Sequence, residues 1–223
     1  RICLHGGVMA VIGVIGRKGG VGKTTVAVHL AAELSTGKQT VAVVDCDAQG
    51  SASYWADPGQ LPMPVLHHPL EHAREIQTWS RDVRDIDADV LVLDGPPHLN
   101  EAMGGVIGLS DLVVIPCGPS GLDLIATGEA VGLVRQIRDE RGDGKPSILL
   151  VPNRVDRRTT AGRDLAGALK DLGEPVGPSI GDRTAFVDAF NAGQSVGAYA
   201  PSSPAHQELQ ALARRVRTIL RKL

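Results

Sequence analysis

Short, continuous apolar runs alternate along the chain with segments whose apolar residues recur at helical spacing. Continuous runs are typical of parallel strands buried on both faces, whereas spacings of three and four residues are typical of helices. The pattern predicts strands over Val11–Ile15, Thr40–Asp45, Val90–Asp94, Leu112–Pro116, Ile148–Pro152 and Val176–Ile180. It predicts helices over Lys23–Ser35, Leu70–Val83, Leu122–Arg141, Thr160–Leu172 and about Ala205 to Lys222.

This alternation predicts an α/β fold with a doubly wound, mainly parallel sheet flanked by helices. Aromatic residues make up only 3% of the 223 residues, so the core must be aliphatic, as is usual for such sheets. No repeat or long linker divides the chain, and we expect one domain over residues 9–223. Residues 1–8 are interpreted as an upstream extension without function, and the Pro-rich stretch Asp57–Pro69 as a surface loop.

Charge and cysteine content narrow the classes of function. The chain has 25 acidic and 23 basic residues, so any contact with nucleic acid must come from a local patch. Its three cysteines form no CxxC pair, which argues against a disulfide scaffold or a zinc site and favours the cytoplasm. No apolar run reaches the roughly 20 residues that a membrane-spanning helix needs.

The most specific motif lies between the first predicted strand and the first predicted helix. Its glycines would let backbone N–H groups turn toward phosphates, and the helix N-terminus adds partial positive charge. Lys23 is expected to reach the β- and γ-phosphates, and the Thr24 hydroxyl to ligate Mg²⁺. We therefore predict nucleotide binding by Gly19, Gly20, Val21, Gly22, Lys23, Thr24 and Thr25.

Carboxylates follow two of the predicted strands. Asp45 and Asp47 lie at the end of one strand, and Asp94 ends the next. The carboxyl ends of parallel strands lie near a phosphate-binding loop, so we expect these side chains close to the phosphates. Asp94 has the position of a carboxylate that binds Mg²⁺ through water.

The loop also departs from the standard GxxxxGK[ST] pattern. Arg17 stands where the first glycine belongs, and Lys18 appears early in the loop. The resulting KGGxGK[ST] motif resembles the deviant Walker A motif of the ParA/MinD superfamily. The resemblance implies a P-loop NTPase fold, ATP and Mg²⁺ as cofactors, and slow ATP hydrolysis that a partner protein stimulates. In that family the early lysine reaches the partner's nucleotide in an ATP-bound sandwich homodimer, which implies a catalytic role for Lys18, Lys23 and Asp47.

Further segments carry the same resemblance. Asp45–Gly50 is similar to the family's DxDPQG, with Ala48 in place of proline, and Asp94–Pro97 is similar to its DxPP. The resemblance implies that Asp45 belongs to the metal's outer shell beside Thr24 and Asp94, and that Asp47 orients the attacking water. It also implies that Asn153 and Arg154 contact the adenine.

The later motifs resemble small plasmid ParA proteins of the ParF type. Ser110–Pro116 and Pro119–Asp123 look like the family's fourth strand and the start of its interface helix, while Arg183–Val187 and Gly193–Val196 are similar to ParF-type segments. The resemblance implies segregation of a plasmid or chromosome region in the cytoplasm, on the nucleoid. The expected partners are nonspecific DNA and a small centromere-binding protein like ParB or ParG.

The last predicted helix has an apolar stripe and a basic remainder, which leaves three alternatives. It can be an ordinary packed helix, a weak DNA-binding face, or a MinD-like membrane anchor; the last is disfavoured because the stripe lacks Phe and Trp. A positioning ATPase of cell division, conjugation or carboxysomes is the alternative function, and a metabolic P-loop enzyme is a third. The candidate DNA contacts are Arg183, Arg214, Arg215, Arg217, Arg221 and Lys222.

Overall fold

The computed structural model describes residues 10–97 and 101–223, so the predicted extension over residues 1–8 lies outside the described residues. The strands are β1 Ala10–Val14, β2 Val41–Asp45, β3 Val65–His67, β4 Val90–Asp94, β5 Leu112–Cys117 and β6 Ser147–Pro152. They form one sheet in the order β3-β2-β4-β1-β5-β6, and every neighbouring pair is parallel.

Helices cover both faces of the sheet, which confirms the doubly wound fold. The helices are α1 Lys23–Leu34, α2 Ser51–Ala56, α3 Ile76–Arg84, α4 Glu101–Leu109, α5 Gly121–Arg141, α6 Thr160–Lys170, α7 Thr184–Asn191, α8 Val196–Tyr199 and α9 Pro204–Leu220. Residues of α1, α2, α7, α8 and α9 pack in the hydrophobic core on one face of the sheet, and residues of α3, α4, α5 and α6 pack in the core on the other face. In the described ranges no helix is both long and apolar enough to cross a bilayer.

Two predicted elements are wrong. Among the described residues the stretch Val176–Ile180 forms an isolated bridge, Val176 to Leu150, instead of a strand, and a second bridge, Val155 to Gly181, lies just after it. Pro178 interrupts it and has no N–H to donate to a ladder. Conversely, the Pro-rich stretch that we predicted as a loop contains β3, a three-residue edge strand where proline is tolerated on either side.

The register of the central strands places the functional residues. Asp94 at the end of β4 pairs with Val14 on one side and with Asp45 on the other. The carboxyl ends of β1, β2 and β4 are therefore level. The loop that leaves β1 begins beside two buried carboxylates, at the edge where parallel sheets bind ligands.

Candidate functional site

The glycine-rich loop joins β1 to α1 in the predicted strand–loop–helix order. Gly20 and Gly22 have φ of 79° and 87°, in the left-handed region that favours glycine. Gly22 is also the N-cap of α1, and as a glycine it has no side chain with which to cap the helix. A Cβ there would lie 2.5 Å from the Asn153 amide nitrogen, so space as well as conformation requires glycine. The first amides of α1 are left available to an anion.

Lys23 opens α1 and is nearly buried. Its Nζ lies 3.5 Å from the backbone carbonyl oxygen of Lys18, to which it donates. Burial lowers the pKa of Lys23, while the charges of Asp94 and Asp47 act in the opposite direction. An ammonium held in this enclosed place, inside the curve of the loop, is suited to bind phosphate oxygens.

Asp94 is a deeply buried carboxylate at the end of β4. It is 1% exposed, and neither carboxylate oxygen has a hydrogen-bond partner of normal geometry within residues 10–97 and 101–223. Burial raises the pKa of Asp94 to about 7, with the Thr24 hydroxyl and Lys23 opposing the rise and Asp45 and Asp47 adding to it. A buried, unpaired carboxylate is unfavourable unless a cation or its water reaches it.

A magnesium ion fits this place by its chemistry. Mg²⁺ is usually held by one or two protein oxygens, with waters and phosphates as its other ligands. Asp94 and Thr24 would supply those protein oxygens. The described residues contain no group of three or more His, Cys, Asp or Glu side chains arranged to hold a metal by themselves. The site therefore suits a cation that arrives with a nucleotide.

The two carboxylates after β2 have different surroundings. Asp45 is fully buried, and its Oδ2 accepts hydrogen bonds of 2.9 Å from both the backbone N–H and the hydroxyl of Ser53. Its Oδ1 accepts from the Asp47 amide at 3.3 Å, so Asp45 fixes the start of α2. Asp47 is half-buried, and its Oδ1 accepts from the Gln49 amide at 3.0 Å. Asp47 is therefore partly accessible to solvent at the carboxyl end of β2.

Asn153 and Arg154, which we predicted to contact the adenine, donate hydrogen bonds to the backbone of the glycine-rich loop. The buried Asn153 side chain donates from Nδ2 to the Val21 carbonyl at 2.7 Å. Arg154, with φ of 54°, donates from Nη1 to the Gly20 carbonyl at 3.0 Å. Two cavities lie in this region, and Arg154 itself lines the smaller one. One of about 270 Å³ borders the loop and Asp182; the other, of about 330 Å³, is lined by residues 155–158, Ser179, residues 181–183 and Glu208.

Lys18 lies at the outer edge of the loop with its side chain 43% exposed. Its Nζ donates to Oδ1 of Asp123 at 2.8 Å. The preceding residue, Arg17, forms an ion pair with Glu129 of the same helix, α5. Both cations that make the loop unusual are thus paired with carboxylates of their own chain.

The predicted DNA contacts separate into two groups. Arg183 forms a bidentate ion pair with Glu208, with donor–acceptor distances of 3.0 and 2.6 Å. Arg217 donates to the Glu33 carbonyl at 2.7 Å, where it satisfies the C-terminal end of α1. The exposed members are Arg214, Arg215, Arg221 and Lys222 on and just after α9.

Sequence reasoning missed the partners of the loop cations. Ser120 and Asp123 have the three-residue spacing of a helix cap, and Ser120 does accept from the Asp123 amide at 3.1 Å. That spacing could have located the start of α5. Nothing in it indicates a bond to Lys18, which lies 105 residues away.

Comparison with known proteins places this geometry in a family context. The family model described as CobQ/CobB/MinD/ParA nucleotide binding domain matches residues 12–196. Maintenance of carboxysome distribution protein A from Gloeobacter kilaueensis is 40% identical over 128 residues, covering 54% of this chain and 55% of that protein. The protein of the same name from Halothiobacillus neapolitanus is 31% identical over 185 residues, covering 80% and 82%. Protein ParA from Rhizobium radiobacter is 28% identical over 189 residues, covering 83% and 84%.

Solved structures share the fold at low identity. The apo McdA structure from Cyanothece has a TM-score of 0.79 and 17% identity, covering 95% of this chain and 99% of that one. The septum site-determining protein MinD from Pyrococcus horikoshii, complexed with Mg-ADP, has a TM-score of 0.78 and 18% identity, covering 94% and 96%. These likenesses extend over nearly the whole sheet and its helices.

Proposed function

This chain belongs to the CobQ/CobB/MinD/ParA nucleotide-binding family, and we propose that it is a Mg²⁺-dependent ATPase that pairs with a second copy of itself when ATP is bound. One observation carries the nucleotide part of the proposal. Three features meet at the loop after β1. The N-cap of α1 is a glycine without a side chain, Lys23 is a buried ammonium, and the buried carboxylate of Asp94 has no hydrogen-bond partner of normal geometry among residues 10–97 and 101–223. One strand–helix junction thus contains both the groups that bind phosphate and the carboxylate that binds a metal cation.

The surface around Lys18 supports the pairing. Leu122 and Ile125 are exposed large apolar side chains on the first turns of α5, beside Asp123. Exposed apolar groups next to a binding loop are typical of an interaction surface. A second copy seated here would cover them, and the partner subunit's Lys18 could add its charge to the phosphates.

Each side chain of the site then has a task in hydrolysis. The loop amides and Lys23 would bind the phosphates, and Asp94 with Thr24 would hold the metal. Mg²⁺, when bound, supplies positive charge that offsets the β- and γ-phosphates. Asp47 accepts a hydrogen bond from the attacking water and aligns it. Asp45 keeps α2, and with it the Asp47 segment, in place through its bonds to Ser53.

We extend the proposal to DNA and to a partner protein. The four exposed basic residues at the end of α9 provide a patch for sequence-independent contacts with phosphates, and pairing would double it. A centromere-binding or equivalent adaptor protein would stimulate hydrolysis and separate the pair. Repeated binding and release on nucleoid DNA in the cytoplasm would then move a cargo.

Two cargoes have support from relatives. Identities of 40% and 31% to carboxysome distribution proteins favour positioning of a protein compartment. Identities of 28% to ParA of Rhizobium radiobacter and 27% to the chromosome-partitioning ATPase Soj of Thermus thermophilus favour a plasmid or chromosome region. Deleting the gene in its host separates the two, since one outcome is clumped compartments and the other is loss of a replicon.

The biochemical test is nucleotide binding and turnover by the purified chain. We expect a fluorescent ATP analogue to bind in the presence of Mg²⁺, and phosphate release to be slow and to rise with added DNA and adaptor. Lys23→Ala should abolish both binding and release. Phosphate release that is equal in wild type and Lys23→Ala would refute the ATPase proposal.

A further inference from the structure

The carboxylate that binds Lys18 is held in a preformed place. Asp123 is 8% exposed, and its Oδ2 accepts a hydrogen bond of 2.6 Å from the Ser120 hydroxyl. Its Oδ1 accepts from Lys18 at 2.8 Å. A Cβ on Gly118 would lie 2.6 Å from Oδ2, so the backbone at Gly118 packs directly against the carboxylate. The carboxylate has little freedom to follow a moving cation.

Lys18 and Asp123 form an ion pair within one chain. Burial acts to raise the pKa of Asp123, but the hydrogen bonds from Lys18 and Ser120 outweigh it and leave the pKa below its usual value. Arg17 is paired in the same way with Glu129 on the same helix. The entry to the phosphate loop is thus fastened to α5 by two ion pairs within one chain.

This arrangement conflicts with a role for Lys18 in a second subunit. A lysine ammonium is a compact charge on one flexible stem, so Lys18 must leave Asp123 before it can reach phosphates elsewhere. Once Lys18 leaves, the buried carboxylate of Asp123 keeps, among the described residues, only its bond from the Ser120 hydroxyl, and a buried charge with so few partners is unfavourable. The ion pair and the intersubunit contact therefore compete.

We infer that Asp123 holds Lys18 on its own subunit until a second subunit competes for it, so that this ion pair sets the concentration at which two ATP-bound subunits associate. Asp123 is a positioning residue in this account, because it acts through Lys18. The inference rests on the proposed ATP-dependent pairing and adds the group that opposes it.

The test compares Asp123→Asn with wild type by sedimentation equilibrium, with Mg²⁺ and a slowly hydrolysed ATP analogue. Asparagine keeps an oxygen for Ser120 and removes the charge that holds Lys18. We expect the dissociation constant of the dimer to fall roughly three- to tenfold. The matched control is Glu129→Gln, which removes the other carboxylate of α5 that pairs with the loop and should leave the constant within about twofold. A constant for Asp123→Asn that equals or exceeds that of wild type overturns the inference.

A second measurement does not depend on assembly. In the nucleotide-free protein, NMR titration of the Asp123 carboxyl should give a higher pKa in Lys18→Gln than in wild type, with circular dichroism confirming that both are folded. An unchanged pKa would show that the ion pair is absent in solution and would overturn the inference even if pairing occurs. If wild type never pairs with any nucleotide, the proposed function fails, and the titration reports separately on whether the ion pair exists.

Discussion

The side-chain amide of Asn153 donates a hydrogen bond of 2.7 Å to the backbone carbonyl of Val21 in the phosphate loop. These residues are 132 positions apart, and the bond joins the end of β6 to the loop after β1. Val21 can keep its loop conformation without a nucleotide because Asn153 satisfies its buried carbonyl. Asn153 therefore acts on the loop itself, whether or not it also contacts a base.

Replacing Asn153 tests this role. Asn153→Ala leaves the Val21 carbonyl unpaired and loosens the loop, so we expect the affinity for ATP to fall roughly tenfold. If the substitution acts through the loop, the affinity for GTP should fall by the same factor as the affinity for ATP. If Asn153 instead contacts the adenine, only the affinity for ATP should fall. Fluorescence titration with both nucleotides separates the two, and Asn191→Ala, at an exposed position, is the control. Unchanged affinity for both nucleotides would contradict the role in the loop.

We propose that Asp47 aligns the attacking water. Asp47→Ala should bind the ATP analogue as wild type does and should lower phosphate release at least about 100-fold, since a positioned base contributes that much. The paired state should consequently persist after ATP is added. Gln49→Ala is a suitable control, because that residue is exposed and bonds to Asp47 only through its backbone. Normal turnover in Asp47→Ala would show that another group aligns the water.

Acid sensitivity of the fold is predicted at His29. Burial, with the charge of His206 adding to it, lowers the pKa of His29 to about 3 from 6.5. The ring accepts a hydrogen bond from the Val196 amide through Nδ1, which requires the neutral form. Because the folded pKa lies below the unfolded one, this contribution to stability is complete above pH 6.5 and is lost as pH falls toward 3.

The size of this effect follows from the shift. Between pH 7 and pH 5, His29 should cost the folded state about 2 kcal/mol. His29→Asn removes the titration while keeping an acceptor near the place of Nδ1. Urea unfolding at the two pH values should therefore show a smaller loss of stability in His29→Asn than in wild type. Equal losses would mean that His29 is not the acid-sensitive group.

Two arginines of α9 should behave differently. Arg215 is exposed, so Arg215→Ala should weaken binding to nonspecific DNA and reduce the salt dependence, without changing the melting temperature. Arg217 satisfies carbonyls at the end of α1, so Arg217→Ala should lower the free energy of unfolding by about 1–2 kcal/mol. Thermal melts and DNA titrations over a salt series measure both. If both substitutions lower only stability, α9 has no role in DNA binding.

The fold was largely predictable because its signals are local. The buried strands are continuous apolar runs, and the motif from Lys18 to Thr25 is an unbroken stretch of sequence beside one of them. The prediction failed where a local signal conflicted with backbone chemistry. Apolar residues around Pro178 suggested a strand, but proline removes the ladder hydrogen bond there. The short edge strand β3 was missed because prolines flank it, which suggested a loop, although an edge strand tolerates proline at its ends.

The site was only partly predictable because several of its contacts join residues that are distant in the sequence. The positions of Asp45 and Asp94 follow from strands that end at one edge of the sheet. The bond from Lys18 to Asp123 depends instead on how α5 leaves β5. Arg183 and Arg217 looked like surface cations in the sequence, but packing gives each a partner within the chain.

The central claim is that ATP, and not ADP, brings two subunits together through the phosphate loop. Sedimentation velocity of wild type, Lys18→Ala and Lys23→Ala with Mg²⁺ and either ADP or a slowly hydrolysed ATP analogue tests it most directly. We predict that wild type sediments as a monomer with ADP and as a dimer with the analogue, and that Lys23→Ala sediments as a monomer with both. A single sedimentation coefficient for wild type under every nucleotide condition would contradict the account.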